Sequence, residues 1–306
     1  MNELFLERMK EMLKDEYPAY LKKLNDPARK GIRINTLKIT PDDFFAYTNF
    51  ELEKSPFAKN GYYANIKSGV GFTPEHMAGF FYIQEPSASS AVTILDPKPG
   101  MKVLDMCAAP GSKSTQISEM LEQEGLLVAN EIHPTRSRIL LENIERCGSA
   151  NTIVLNNDPK DISKAFPEFF DMVLCDAPCS GEGMFRKEDQ AVEQWSLENV
   201  QACALRQSYI LEEAYKCLKP GGTMVYSTCT FAIEENELCM QKFIQEHPDM
   251  HLVPIEVDFG RKAFDFGSHT DYARRIFPMD GGEGHFIAKL QKDGESTEST
   301  IKLMQS

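Results

Sequence analysis

From residue 102 onward, short apolar runs alternate with longer stretches in which apolar positions recur at helical spacing. The runs fall at 102–106, 126–131, 152–156, 172–176 and 223–228, with a weaker one near 251–255. Strands separated by helix-length intervals predict parallel pairing through right-handed crossovers, and hence a doubly wound α/β sheet. A last run, 285–290, follows Gly281, Gly282 and Gly284 and could enter as an antiparallel strand. Parallel strands present their carboxyl ends on one rim, which puts Asp105, Glu131, Asp158, Asp176 and Cys229 along a single cleft.

The first hundred residues carry a different pattern. Leu4, Phe5, Met9, Met12 and Leu13 recur at helix spacing, 17–24 suggests a second short helix and 31–37 reads as a strand. Thr40 before Pro41 starts another helix, with a capping hydroxyl and a proline at its first position. Residues 51–70, with Pro56, Gly61 and Gly69, read as loop-rich; Thr73 and Pro74 open a helix, and a further one covers 89–95. The expected organisation is a small N-terminal α/β domain over 1–72, a candidate for RNA contact, a main domain over 73–292, and a disordered polar tail over 293–306.

Composition narrows the class. A chain of 306 residues with 42% hydrophobic residues and mixed charge is ordinary for a globular protein. No apolar stretch approaches the ~18 residues of a membrane span, and the N-terminus, charged from Glu3, lacks a signal-peptide core; a cytoplasmic location is expected. Eight cysteines include no Cys-x-x-Cys pair, and Cys175 and Cys179 have no His or second pair nearby to complete a metal site. Cys107, Cys175 and Cys217 lie in apolar surroundings as small core residues. The net charge of −13 means that any grip on nucleic-acid phosphates must be local. Candidates are Lys22, Lys23, Arg29, Lys30, Arg33, Lys38, Arg186, Lys187 and the pairs Arg261–Lys262 and Arg274–Arg275, against the alternative of plain solvated surface.

Residues 102–116 read as strand, tight loop and helix, with Ser112 as the candidate N-cap. A triphosphate cradle fails, because Ser112 separates Gly111 from Lys113 and position 106 is Met; a dinucleotide fingerprint fails because the loop has a single glycine. An adenosine ligand with little phosphate remains. Glu131, roughly 20 residues past the loop, can accept from both ribose hydroxyls, and Asp158 can take an adenine amino group. Either acid could instead simply cap the helix that follows it. Jointly with the loop, they suggest S-adenosylmethionine.

Two cysteines stand on the same rim. The fourth strand runs into Asp176, Ala177, Pro178 and Cys179, and the fifth runs into Cys229. Helix N-termini nearby favour thiolate. A lone rim cysteine is more often inert, but two bracketing Asp176 suggest chemistry. Carbon 5 of a pyrimidine is too weak a nucleophile to take a methyl group unaided; a thiolate added at carbon 6 converts the ring to an enamine. A carboxylic acid such as Asp176 near ring nitrogen 3 would stabilise the charge that develops. Amino-methylating enzymes would be expected to show Asp/Asn-Pro-Pro-Tyr/Phe at that strand end, which this chain lacks.

These residues resemble the RNA 5-methylcytosine methyltransferases of the Nol1/Nop2/Sun type across nearly the whole chain. The resemblance rests on residues 33–38, 84–88, 107–113, 176–181, 227–230 and 282–286, and within the family looks closest to the bacterial 16S ribosomal RNA enzymes. It implies a Rossmann-like class I methyltransferase sheet with an antiparallel last strand, Cys229 as nucleophile, Cys179 assisting product release and Asp176 touching both base and cofactor. It further implies that Cys107, Ala108, Ala109, Pro110, Gly111, Ser112, Lys113, Glu131 and Asp158 bind S-adenosylmethionine, with Arg136 as an occasional contact. The implied partner is RNA, in the small ribosomal subunit, with neither metal nor membrane. Such bacterial enzymes usually continue into a C-terminal RNA-binding module; here either the chain is truncated or capture falls to the N-terminal unit and the ribosomal particle. Rival readings are a transfer-RNA cytosine methyltransferase, a DNA cytosine methyltransferase using Cys179, an amino methyltransferase, and an inactive ribosome-assembly factor.

Overall fold

The computed structural model describes residues 1–66 and 69–295. The expected tail is described only to residue 295; 296–306 lie outside the described residues. The chain begins with helices α1 (Glu3–Leu13), capped by the Asn2 side chain, and α2 (Tyr17–Leu24). Strand β1 (Gly31–Ile34) follows, then α3 (Pro41–Tyr47), whose Thr40 cap accepts from the Asp43 amide as expected. The 51–70 stretch is not all loop: β2 (Leu52–Lys54) and β3 (Gly61–Ala64) pair antiparallel across the Pro56–Gly61 turn. Three- and four-residue strands are too short to display an alternating pattern. Helix α4 (Pro74–Met77), strand β4 (Phe81–Gln84) and helix α5 (Ser90–Leu95) complete this half.

The small sheet has the order β2-β3-β1-β4. Because β4 pairs with β1, the unit's sheet extends to Gln84, and the boundary expected at residue 72 falls inside it. Its own core is Ile32, Ile34, Phe44, Val70 and Phe81. Helices α1 and α2 do not join that core. Phe5, Met9, Leu13 and Tyr20 bury instead against Phe185, Trp195, Phe231 and Phe277 from the second half of the chain.

That second half contributes β5 (Lys102–Asp105), α6 (Ser112–Met120), β6 (Leu126–Asn130), α7 (Pro134–Cys147), β7 (Thr152–Leu155), α8 (Pro159–Ala165), β8 (Phe170–Asp176), α9 (Asp189–Gln194), α10 (Leu197–Cys217), β9 (Leu218–Thr228), α11 (Glu237–Glu246), β10 (Met250–Leu252), β11 (Arg261–Lys262), β12 (Arg274–Ile276) and β13 (His285–Lys292). They form a nine-stranded sheet of order β11-β12-β13-β9-β8-β5-β6-β7, with β10 on β13. Strands β5 to β9 pair parallel, while β13 runs antiparallel to β9. Strand β9 starts earlier than expected because Leu218 already pairs with Phe170 before an irregularity, after which Met172 pairs with Thr223. Apolar clusters cover both faces, centred on Val173, Met224 and Phe286 on one side and Val103, Leu127 and Ile287 on the other.

Topology places the site. The chain winds from β5 outward through β6 to β7, then returns to the far side of β5 as β8 and β9. The order therefore reverses between β5 and β8, and a crevice opens there at the strand carboxyl ends. Buried ion pairs brace its surroundings. Arg33 of β1 contacts Glu119 at 3.2 Å, Thr115 at 2.7 Å and the Ser112 carbonyl at 2.9 Å, tying the small sheet to α6. Among the described residues no helix is long and apolar enough to cross a membrane, and no group of three or more His, Cys, Asp or Glu could hold a metal ion.

Candidate active site

The loop from Cys107 to Lys113 lies over the crevice. Ala108, Ala109 and Gly111 are buried, Cys107, Ser112 and Lys113 half-buried, and Pro110 exposed. Gly111, not Ser112, is the residue before α6: its φ of 111° is a left-handed conformation, and a Cβ there would sit 3.2 Å from Leu140 Cδ1. Ser112 is thus the first helical residue, and its hydroxyl donates to Gln84 Oε1 at 2.5 Å. Asp105 ends β5 fully buried; Ser114 donates to its Oδ2 at 2.6 Å, while Oδ1 has no partner. Burial pushes its pKa up to about 7, partly opposed by the Ser114 hydrogen bond.

The next two strand ends carry the predicted acids. Glu131 is buried; its Oε1 accepts from the His133 amide at 3.0 Å and its Oε2 lies 3.4 Å from Arg136. Arg136 also donates to the Ala109 carbonyl at 2.9 Å, so it links loop and acid across the crevice. Asp158 caps α8 through the Lys160 amide at 2.9 Å and accepts from the Tyr209 hydroxyl. Those bonds hold its carboxyl below the usual range. The capping alternative for Asp158 is therefore real geometry. Between the two, Asn130 Nδ2 donates to the Met106 and Asn157 carbonyls and its oxygen accepts from the Asn157 amide, setting three strand ends at once. Asn130 was not anticipated; its only signal was a polar residue closing an apolar run.

Beyond the crevice, Asp176 receives two donors, Lys113 Nζ on Oδ2 at 2.7 Å and Ser227 Oγ on Oδ1 at 2.7 Å. Burial works against the Lys113 charge, but Asp176 outweighs it, so the ammonium is held above its ordinary pKa. Cys179 and Cys229 stand together, with sulfurs 3.2 Å apart, and the Cys229 amide donates to the Cys179 sulfur at 3.3 Å. The hydrogen bond to Cys229, burial and the charge of Glu235 keep Cys179 well above the ordinary thiol pKa. Ser180 and Thr230 join the two turns through hydroxyls 2.7 Å apart. Cys107 is raised too, by burial and neighbouring acids, which fits a thiol rather than a nucleophile.

The sequence profile of 16S rRNA methyltransferase RsmB/F matches residues 92–291, and that of the N-terminal domain of 16S rRNA methyltransferase RsmF matches 1–86. The chain belongs to the 16S rRNA methyltransferase RsmB/F family. The relative named Ribosomal RNA small subunit methyltransferase F in Vibrio cholerae is 40% identical over 304 residues, covering 95% of this chain and 63% of the relative. Its Escherichia coli K12 namesake is 37% identical over 302 residues, covering 94% and 62%. The chain thus spans 62–63% of the length of these relatives. A crystal structure of a methyltransferase homolog from Pyrococcus horikoshii superposes with a TM-score of 0.82 at 31% identity over 95% of both chains.

In this RsmB/F-family chain, most of the expected basic face is spent internally. Arg33 is buried on Glu119, Arg275 on Glu237 and Arg186 on Glu283. Arg261 pairs with Glu16 and Asp280, Arg274 donates to the Ile255 carbonyl, Lys23 pairs with Asp26, and Arg29 pairs with Glu53 while stacking on Tyr63. Apart from Lys23 and Asp26, three residues apart, the partners are distant in the chain and the sequence does not reveal them. The residues 84–88 and 282–286 meet: Ser87 Oγ lies 2.9 Å from His285 Nδ1 and 2.5 Å from Glu85.

Proposed function

We propose that this chain transfers a methyl group from S-adenosylmethionine to carbon 5 of a cytosine in 16S ribosomal RNA, through a transient bond between Cys229 and carbon 6. The observation that carries the reading is the pair of sulfurs 3.2 Å apart next to the Lys113–Asp176 ion pair. The names of its relatives support the ribosomal substrate.

The crevice suits the cofactor. Carboxylates end the strands beside the N-terminus of α6, and no run of glycines invites a polyphosphate. Cys107 to Lys113, Glu131, Arg136, Asp158 and Asp176 would hold it, with Glu131 able to accept from ribose hydroxyls and Lys113 acting through its charge. When bound, S-adenosylmethionine supplies an electrophilic methyl group.

The chain's own residues account for the rest. Cys229 passes its proton to the Asp176 carboxylate, which Lys113 and Ser227 steady, as its sulfur bonds to carbon 6; the ring π electrons move onto nitrogen 3, which takes that proton from Asp176 and leaves the carboxylate paired with Lys113 again. Carbon 5 then accepts the methyl group. Loss of the carbon 5 and nitrogen 3 protons to water restores the aromatic ring and expels the Cys229 sulfur, which takes a proton from Cys179, still a thiol, and Cys179 is in turn reprotonated from water.

The test is bisulfite mapping of ribosomal RNA from a strain lacking the gene, with methyl transfer reconstituted on small subunits from that strain. One cytosine should lose and regain its protection. Methylation appearing on an amine, on transfer RNA or on DNA would refute the reading.

A further inference from the structure

We propose that Lys187 grips an RNA phosphate flanking the target cytosine, so that the mouth of the cysteine cleft contains a phosphodiester subsite. This deepens the RNA reading above and rests on it.

The segment after Cys179 is pressed onto the Cys229 turn. The Gly183 amide donates to the Cys229 carbonyl at 2.9 Å, and a Cβ on Gly183 would meet the Gly284 carbonyl at 2.6 Å and that of Cys229 at 2.9 Å. The next turn closes when the Lys187 amide donates to the Met184 carbonyl at 2.8 Å. Arg186 anchors this turn: it pairs with Glu283 at 3.2 Å, with both side chains almost wholly buried, and donates to the Asp26 and Pro27 carbonyls. Lys187 therefore stands on a fixed platform, within four residues of a glycine bonded to the Cys229 loop.

Arg186 is fully used; its neighbour is not. Lys187 is exposed as a residue and has no hydrogen-bond or ion-pair partner among the described residues. Burial lowers the pKa of its ammonium, with Glu85 and Glu283 working against that and Arg186 with it. Lys187 also acts on His285, whose pKa is lowered by burial and then by Lys113 and Lys187. Glu85 is occupied by Ser87, and Glu283 by Arg186 and the Arg29 amide. In a chain of net charge −13 whose arginines are largely paired internally, an uncommitted cation beside the reactive sulfur is set for an incoming anion. A base held against Cys229 has to be turned out of its stack, which brings its own phosphates across the cleft mouth. An ammonium with three donors is a point-charge phosphate binder.

The experiment compares wild type, Lys187→Gln and Lys187→Arg on small ribosomal subunits from a strain lacking the gene, reading kcat, KM and the slope of log affinity against log salt. Lys187→Gln should raise KM about tenfold with kcat within about twofold, and should reduce the salt slope by about one, while Lys187→Arg restores both. Alkylation of Cys229 by iodoacetamide without RNA should stay within about twofold of wild type. An unchanged KM and slope in an active Lys187→Gln enzyme would overturn the subsite, as would a tenfold loss of alkylation, which would assign the lysine to the thiolate. Absence of RNA methylation by wild type with the salt slopes still differing would sink the catalytic reading and leave the subsite standing. Absence of RNA binding by wild type would sink both.

Discussion

The sulfur of Cys179 lies 3.2 Å from that of Cys229, although the two residues are fifty positions apart and leave different strands. Parallel pairing of β8 with β9 in the register Asp176 to Ser227 brings both turns to the same height on the rim. The Ser180–Thr230 hydroxyl bridge then fixes their separation. A thiol held protonated next to a second sulfur suits a proton donor to a departing thiolate. Cys179→Ala should therefore accumulate a covalent protein–RNA adduct on a denaturing gel, and Cys229→Ala should form none. Adduct formation by Cys229→Ala would exchange the two roles and favour the chemistry of the DNA enzymes.

Asp176 is held from two directions, and the two donors should be separable. Asp176→Asn keeps the shape but loses the charge that pairs with Lys113, and should lower kcat by about 10²–10⁴-fold. Ser227→Ala removes one neutral hydrogen bond to the same carboxylate and should cost about tenfold, near the net value of one such bond. Steady-state kinetics on small subunits checks both. Equal losses in the two variants would mean that Ser227, not the Lys113 pair, sets the carboxylate's position.

How far the sequence could be read follows from the range of each interaction. The alternation of apolar runs with helical spacing placed β5 to β9 and β13, because an apolar run is recorded in the strand's own residues, even for the half-exposed edge strand β7. The cysteines and Asp176 were legible for the same reason: each immediately follows such a run. β2, β11 and β12 were not, since two or three residues display no period. The arginines misled most. Arg275 and Arg33 read as surface cations, but their carboxylate partners, Glu237 and Glu119, lie 38 and 86 positions away. Asp158 caps α8, the alternative that its sequence position left open beside a ligand role.

Glu235 should make stability pH-dependent. It is buried, accepts from the Ser180 amide at 3.0 Å and from Gln207 at 2.7 Å, and its Oε1 has no partner. Burial pushes its pKa up to about 7, against the opposing hydrogen bonds. A carboxyl raised in the folded state stabilises fully below its unfolded pKa, near 4.5, and that contribution fades as pH climbs through 7. Relative to Glu235→Gln, which carries no charge, wild type should lose about 2–3 kcal/mol between pH 4.5 and 7.5. Urea unfolding of both proteins at several pH values measures this. Parallel stability curves would show that the carboxyl does not titrate in that window.

The Arg275–Glu237 pair offers a test of what supports the Cys229 turn from behind. Both side chains are almost wholly buried, joined by two bonds of 2.7 and 2.5 Å, and Arg275 Nη1 also donates to the Phe231 carbonyl at 2.9 Å. Removing one partner leaves an uncompensated charge in the interior, so Glu237→Gln or Arg275→Met should each destabilise by about 3–5 kcal/mol. Replacing both residues by apolar ones of similar volume should recover much of that, because no buried charge is then stranded. Activity should not recover with it: the Phe231 carbonyl, two residues from Cys229, would still lack its donor, so kcat of the double variant should remain below wild type at temperatures where both are folded. Thermal unfolding and kinetics on the three variants separate the two effects. A double variant as unstable as either single one would show that packing around the guanidinium, rather than charge pairing, holds this region.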